Sequence, residues 1–285
     1  MPHTTSAQAC DLPRILCLHG GGTNARIFRT QCRVITSRLR GLVRLVFAEA
    51  PLPSTPGPDV TSVYASWGPF RAWLPPSFID GVPEGQSGAL ALAVVENTLE
   101  ATMREDDAAG NTGPWIGVLG FSQGAKLAAS LLLRQQQLKE AGLAPGLKFR
   151  FGVLLAGRGP LIAPSIAKTT QDMQEDDWGA SWEERTSAGG SLVFGISVAD
   201  DDALQDEKWP KPTPLPQRPD QRLSVPTLHV HGVKDPGLHL HRRMMNDWCD
   251  ASSTTLMQWD GDHRVPIRAE HVVQIVDYIK SFLGA

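Results

Sequence analysis

Short apolar runs alternate along this chain with longer stretches whose apolar residues return every three or four positions. The runs are Arg14–Leu18, Leu42–Phe47, Trp115–Leu119, Leu147–Leu155, Val225–Gly232 and Thr254–Trp259. Their length and their Gly, Pro and Asn boundaries suit buried strands. Between them, Phe28, Cys32, Ile35 and Leu39 form one stripe of a helix expected from Asn24, its N-cap, to about Arg40. Leu90, Val94, Val95 and Leu99 mark a second, opened by Ser87 or Gly88, running to about Met103 and closed by Glu105-Asp106-Asp107 and Gly110-Asn111. Further helices are expected from Ala125 to Leu133, after Gly232 to about Cys249, and from Pro266 to Leu283.

Strand–helix alternation with short strands predicts an α/β chain: a doubly wound, mostly parallel sheet with helices on both faces. Active residues then belong beyond the carboxyl ends of the strands. Residues 1–12 read as an arm, and Glu49–Asp59, with Pro51, Pro53, Pro56 and Pro58, as a loop. Trp67, Phe70, Trp73 and Pro75-Pro76 read as an aromatic loop bordering the cleft, or as packing of that loop on the core. Residues 160–224 are too long for an ordinary connection. They predict an inserted cap or lid, with Trp178, Trp182 and Trp209, within one domain spanning 1–285.

Composition narrows the function classes. Of 285 residues, 41% are hydrophobic and 20% charged, with a net charge of −3, which gives no case for nucleic acid. No apolar run reaches a membrane span, and Met1–Leu12 lacks a basic-then-apolar signal, so a cytoplasmic protein without membrane partners is expected. Cys10, Cys17, Cys32 and Cys249 form no CxxC pair and read as free thiols, neither disulfides nor a metal site.

The chemistry lies in Gly120-Phe121-Ser122-Gln123-Gly124, between an apolar strand and a helix. Strand, Gly-x-Ser-x-Gly and helix is the context of a nucleophile elbow. A serine hydroxyl needs a base, and the base needs an acid to hold its tautomer. His263, just past the last strand, is the expected base. His229 and His231 alternate within a strand, and His239, His241 and His271 lie on or beside helices. Asp235 follows a strand in Lys-Asp-Pro and is the expected acid. Asp201 and Asp202 fall in the insert, and Asp262 shapes the loop of the histidine. The oxyanion donors are expected to be the backbone N–H groups of Gln123 and of Gly21, with Gly22 the alternative to Gly21. His19 is expected to hold the glycine loop.

Leu18-His-Gly-Gly-Gly-Thr-Asn24, Gly120-Phe-Ser-Gln-Gly-Ala125, His231-Gly-Val-Lys-Asp235 and Gly261-Asp-His-Arg-Val-Pro266 together resemble the fungal and eukaryotic "family of serine hydrolases". That group includes ovarian-cancer-associated-gene-2-type proteins and hydrolases of fungal polyketide clusters. The resemblance runs from about residue 12 to 284; Phe70-Arg-Ala-Trp-Leu74 and Phe194-Gly-Ile-Ser-Val198 share in it. It implies an α/β-hydrolase fold without metal or cofactor, a Ser122–Asp235–His263 triad, and esterase or thioesterase activity, which in some members releases or edits a polyketide chain. The chain departs from the family at Asp262-His263, where a Gly-His pair is usual, in Arg264-Val-Pro266, and in a longer Pro-rich insert, so the substrate stays open. Trp67, Phe70 and Trp182 are the expected substrate-binding residues, for a small-molecule or carrier-bound acyl group. Arg26, Arg29, Arg33 and Arg40 share one arc of the first helix. That arc offers a docking face for an acidic partner such as an acyl carrier domain of a polyketide synthase, or is simply solvated. An acyltransferase, an amidase or peptidase, and a catalytically silent binding protein are the alternatives on the same scaffold.

Overall fold

The computed structural model describes residues 10–57, 60–75, 86–162 and 222–284, and over 86–92 only the backbone. In chain order, with one-turn helices such as Thr61–Tyr64 left unlabelled, the elements are β1 (Arg14–Leu18), α1 (Ala25–Gln31), α2 (Arg33–Arg38), β2 (Arg44–Ala48), β3 (Leu52–Ser54), β4 (Phe70–Ala72), α3 (Gln86–Ala108), β5 (Trp115–Phe121) and α4 (Gln123–Glu140). They continue as β6 (Phe151–Leu155), β7 (Thr227–Gly232), α5 (Leu238–Trp248), β8 (Thr254–Trp259) and α6 (Ala269–Lys280).

One six-stranded sheet runs β2-β1-β5-β6-β7-β8, and every pairing in it is parallel. From β1 the chain goes to β2 on one side, then returns to place β5 on the other. The order therefore reverses between β1 and β5, the crevice where open α/β sheets bind ligands. Alternation within each strand builds two cores. Leu16 and Leu18 of β1 face Val95, Leu99, Leu127, Leu131 and Met244 on one side. Ile15 and Cys17 face Phe28, Ile35, Ile275 and Ile279 on the other. Both faces of the sheet are therefore covered, as the α/β-hydrolase architecture requires.

Several boundaries differ from the periodicity reading. The first helix bends at Cys32 into α1 and α2. Its i−4 bonds continue through Cys32 N–H to Phe28 O and Thr36 N–H to Cys32 O, both 2.9 Å. The hydroxyls of Thr30 and Thr36 bond back to Arg26 O and Cys32 O, contacts that bend helices. Arg40 lies beyond the end of α2, so the arginine arc belongs to two helices and a turn. The second helix runs on through Glu105-Asp106-Asp107, the acidic residues expected to end it. Carboxylates at a helix C-terminus oppose its dipole, but here buried Arg14 reaches Asp106 at 3.0 Å and Asp107 at 2.5 Å, and Arg44 also binds Asp106.

The two stretches read as loops contain β3 and β4, an antiparallel pair with Leu52 opposite Ala72. Pro53 and the shortness of both strands hide the pattern. The strand expected from Leu147 starts at Phe151, because the side chain of Gln135 takes both the N–H and the C=O of Phe149. The last helix likewise starts only at Ala269. All four cysteines are free, with Cys17, Cys32 and Cys249 buried; burial raises the Cys249 thiol to about 12 and Cys17 and Cys32 well above the ordinary value. Residues 163–221 lie outside the described residues, and with them nearly all of the expected insert. Among the described residues no helix is long and apolar enough to cross a membrane.

Candidate active site

Ser122 links the end of β5 to the start of α4 at φ 53° and ψ −115°. A non-glycine residue adopts such angles only where its surroundings impose them. Two glycines and one hydrogen bond do so. A Cβ on Gly120 would lie 2.3 Å from Gly124 O, and one on Gly124 would lie 2.1 Å from Leu18 O. Ser122 N–H donates to Leu155 O at 2.8 Å, tying the elbow to β6. Helix α4 thus rests on the carboxyl end of β1, and Ser122 stands beside the switch between β1 and β5.

Asp235 and His263 come from the turns after β7 and β8. Val233 N–H donates to Trp259 O at 2.9 Å, and Lys234 N–H to Gly261 O at 2.8 Å. A Cβ on Gly232 would fall 2.5 Å from the carbonyls of Gly261 and Asp262. The two turns are therefore laced backbone to backbone. His263 Nδ1 lies 2.6 Å from Asp235 Oδ2, and His263 Nε2 lies 3.0 Å from Ser122 Oγ. The chain separations are 28 and 141 residues, so the fold alone makes this line. Phe121 packs its ring 5.1 Å from that of His263. The His263 side chain is 22% exposed, whereas that of Asp235 is fully buried.

Burial alone would raise the pKa of Asp235. The hydrogen bond and charge of His263, then His241, then the Gly237 N–H at 2.8 Å outweigh it and hold the carboxyl below the usual range. Asp235 is therefore an anion at neutral pH and accepts the Nδ1–H of His263, leaving Nε2 free to accept from Ser122.

The glycine loop after β1 faces the elbow. Gly22, at φ 70°, has Gly57 N 2.4 Å from its would-be Cβ, and its N–H donates to Arg71 O at 2.9 Å. That commitment removes Gly22 as a donor and leaves the Gly21 N–H. The Gln123 N–H heads α4, where the first turn has no intrahelical acceptors. A Cβ on Gly21 would touch the Gln123 side chain at 3.3 Å, so the two backbones adjoin. His19 is fully buried; its Nε2 accepts Ala50 N–H at 3.1 Å and its Nδ1 lies 2.8 Å from Gly20 O. It braces the loop, with Thr23 Oγ1 donating to Gly20 O at 2.7 Å.

The aromatic stretch divides. Trp73 is buried, its Nε1 donating to His19 O at 2.8 Å, so it belongs to the core and not to a cleft wall. Trp67 carries the guanidinium of Arg26 over its ring at 4.2 Å and stands 5.1 Å from the ring of Tyr64. Phe70 is half-buried in β4. Trp182, Asp201 and Asp202 lie outside the described residues. Asp262 is half-exposed and pairs with Arg264 at 3.3 Å, consistent with shaping the loop.

Sequence reasoning missed three contributors. The side chain of Gln123 accepts Trp73 N–H at 2.7 Å and donates to Leu74 O at 3.3 Å, joining elbow to β4. Arg158 stands 3.9 Å from Asp235 Oδ1. His241, on α5, is fully buried with Nε2 3.4 Å from Asp235 Oδ2. Its ring, those of His231 and His229, and that of His263 succeed one another at 5.5–5.9 Å. Burial lowers His229 and His241 to about 3 and His231 to about 4, so all three are neutral at pH 7. Helical or strand spacing gave no sign of this cluster; only the fold assembles it.

The comparisons with known proteins agree with this geometry. The chain is 44% identical to the esterase dbaE of Emericella nidulans over 94% of this chain and 89% of that one. It is 46% identical to the esterase pigG of Monascus ruber over 94% and 90%. Among solved structures, TT1662 of Thermus thermophilus superposes with a TM-score of 0.51 at 15% identity, over 97% of this chain and 91% of that one, which speaks for the fold alone. The profile described as serine hydrolase (FSH1) matches residues 9–275. A match across nearly the whole chain, together with a serine at a strained elbow, places this protein in the FSH1 serine hydrolase family.

Proposed function

We propose that the protein hydrolyses a carboxyl ester or acyl thioester through an acyl-Ser122 intermediate. The observation that carries this reading is the hydrogen-bonded line Asp235–His263–Ser122, with the serine at the sharp turn between β5 and α4. Ser122 Oγ attacks the acyl carbon while His263 Nε2 takes its proton. The resulting imidazolium is stabilised by the Asp235 anion. The carbonyl oxygen becomes negative and is met by the N–H groups of Gly21 and Gln123, reinforced by the positive end of α4. His263 then gives its proton to the leaving alcohol or thiol. Water, activated by the same Nε2, attacks the acyl-serine and releases the acid, and the proton returns to Ser122.

The relatives named esterases support this leaving-group class. The resemblance to hydrolases of fungal polyketide clusters supports an acyl group derived from a polyketide, free or on an acyl carrier domain. Exposed Arg26, Arg29, Arg33 and Arg40 support docking of such an acidic carrier near the glycine loop. Trp67, Phe70 and Trp182 are proposed to contact the acyl chain. The test is kcat/KM for 4-nitrophenyl esters and acyl thioesters of rising chain length, in wild type and Trp182→Ala. The reading expects a graded climb with length that the variant flattens, because a hydrophobic pocket discriminates only about 1–3 kcal/mol per methylene. A preference for acetyl refutes the apolar site, and no turnover of any ester or thioester refutes the hydrolysis.

A further inference from the structure

Among the described residues, five nitrogens of the histidine cluster behind Asp235 have no hydrogen-bond partner: Nε2 of His229 and both ring nitrogens of His231 and of His241. Buried polar atoms are nearly always paired, so unpaired imidazoles beside a carboxylate point to a ligand that imidazoles recognise. One ligand atom each from Asp235, His241 and His263 falls within 4.8 Å of the other two. We propose that these three side chains bind a zinc-type divalent cation, and that the cation switches the hydrolase off.

The geometry is near what such an ion needs. Zinc binds nitrogen and carboxylate oxygen at about 2.0–2.2 Å in a tetrahedron, which sets its ligands roughly 3.4 Å apart. His241 Nε2 already stands 3.4 Å from Asp235 Oδ2. His263 Nδ1 stands at 2.6 Å and has to open by less than an ångström, roughly, to reach the same spacing. His263 sits on the turn after β8 and is the one partly exposed member, so it supplies both the movement and the entry path. Asp235 Oδ1 is held by the Gly237 N–H, which fixes the carboxylate from outside. Two imidazoles and one carboxylate select zinc-like ions over magnesium, which prefers an all-oxygen, largely hydrated shell. Arg158, 3.9 Å from Asp235 Oδ1, works against a cation and keeps the site weaker than a structural one.

Inhibition follows from the proton balance on His263. In the active form its single proton is on Nδ1, donated to Asp235, and Nε2 accepts from Ser122. A cation on Nδ1 takes that lone pair, so the proton moves through solvent to Nε2; none is gained or lost by the ring. Nε2–H then faces Ser122 Oγ as a donor and has no lone pair to accept the hydroxyl proton. The cation's fourth position stays open to water.

Binding by the three side chains is independent of the proposed reaction, whereas the switch rests on it, and the experiment separates the two. Metal-stripped full-length protein is dialysed to equilibrium against zinc, and hydrolysis of a 4-nitrophenyl ester is followed against zinc and magnesium. Wild type is expected to retain one zinc at this site and to be inhibited by zinc but not by magnesium. His241→Phe keeps the ring volume and removes the ligand. It is expected to lose that zinc and to need about 100-fold more zinc for half inhibition, given that even a partner behind a metal ligand is worth about 10–100-fold. Inhibition of each protein is read as a fraction of that protein's own rate without metal. His241→Asn serves if the phenylalanine variant does not fold, and Arg158→Gln is expected to tighten the binding. Equal zinc stoichiometry in wild type and both His241 variants, or coincident inhibition curves, overturns the proposal. Zinc binding lost with His241 in a protein that hydrolyses no ester upholds the site and refutes the hydrolase reading instead.

Discussion

Gly124→Ala is the substitution whose cost can be worked most directly from the elbow. The added Cβ would sit 2.1 Å from Leu18 O and 2.6 Å from His19 O, both backbone atoms at the end of a central strand. Real Cβ contacts stay beyond 3.0 Å, so α4 and β1 have to part by the difference, 3.0 − 2.1, or about 0.9 Å. No flexible side chain can absorb that. Overpacking of this kind costs about 1–3 kcal/mol, while alanine regains up to about 1 kcal/mol of helix propensity. The net is about 0–2 kcal/mol, or at most roughly 4 °C of melting temperature in a chain of this size. The displaced helix carries Ser122 away from His263 and the Gln123 N–H away from Gly21. A misplacement near 1 Å costs on the order of 100-fold in rate. Thermal unfolding and kcat/KM on a soluble ester measure both. The control is Gly142→Ala: unlike Gly124, Gly142 has positive φ, 73°, and nothing lies within 4 Å of its would-be Cβ. That variant is expected to lose about 1–2 kcal/mol from backbone strain and no activity. Gly124→Ala with the rate of wild type would refute the argument that these two glycines place the nucleophile.

Asp235→Asn is expected to lower kcat by about 10⁴-fold while the fold persists, since an amide holds the imidazole in the wrong tautomer; Asp201→Asn and Asp202→Asn in the same assay are expected to be near normal, and a larger loss in either would displace Asp235. Stability is expected to fall on acidification. His229, His231 and His241 titrate near 6.5 when unfolded but only at about 3, 4 and 3 when folded, so below pH ~6.5 the unfolded chain binds more protons and each histidine removes up to about 1.4 kcal/mol per pH unit. Asp235, lowered when folded, adds a loss at still lower pH. Urea midpoints at pH 7 and pH 5 test this, and a midpoint that rises or stays level at pH 5 contradicts it. Charge reversal at Arg33 and Arg40 is expected to slow turnover of a carrier-bound acyl group and spare a small thioester; equal effects on both would refute docking at that arc.

The fold was largely legible because its central strands are short, apolar and bounded by turn residues. The elbow was legible because Gly120 and Gly124 are demanded by local sterics, and local sterics leave a mark on local sequence. The positions after β7 and β8 could be read from strand ends, which is how Asp235 and His263 were named. What stayed hidden depends on contacts distant in the chain. Arg14 and Arg44 carry α3 past Met103 across 62 to 93 residues. Gln135 replaces the first strand partners of Phe149 with an amide. Trp73 reads like a cleft residue until His19 O is seen to take its indole N–H. His241 carries no signal at all, because a histidine on a helix says nothing of the carboxylate that the β7 turn brings beneath it.

The proposed hydrolysis requires Ser122 Oγ to carry the acyl group. The direct measurement is mass spectrometry of the protein quenched during turnover of an ester, and separately after a fluorophosphonate, followed by digestion. The expected result is one acyl or phosphonyl mass on the peptide containing Ser122, its loss in Ser122→Ala, and strongly slowed labelling in His263→Ala. An adduct on another residue, or full labelling of Ser122→Ala, would contradict it.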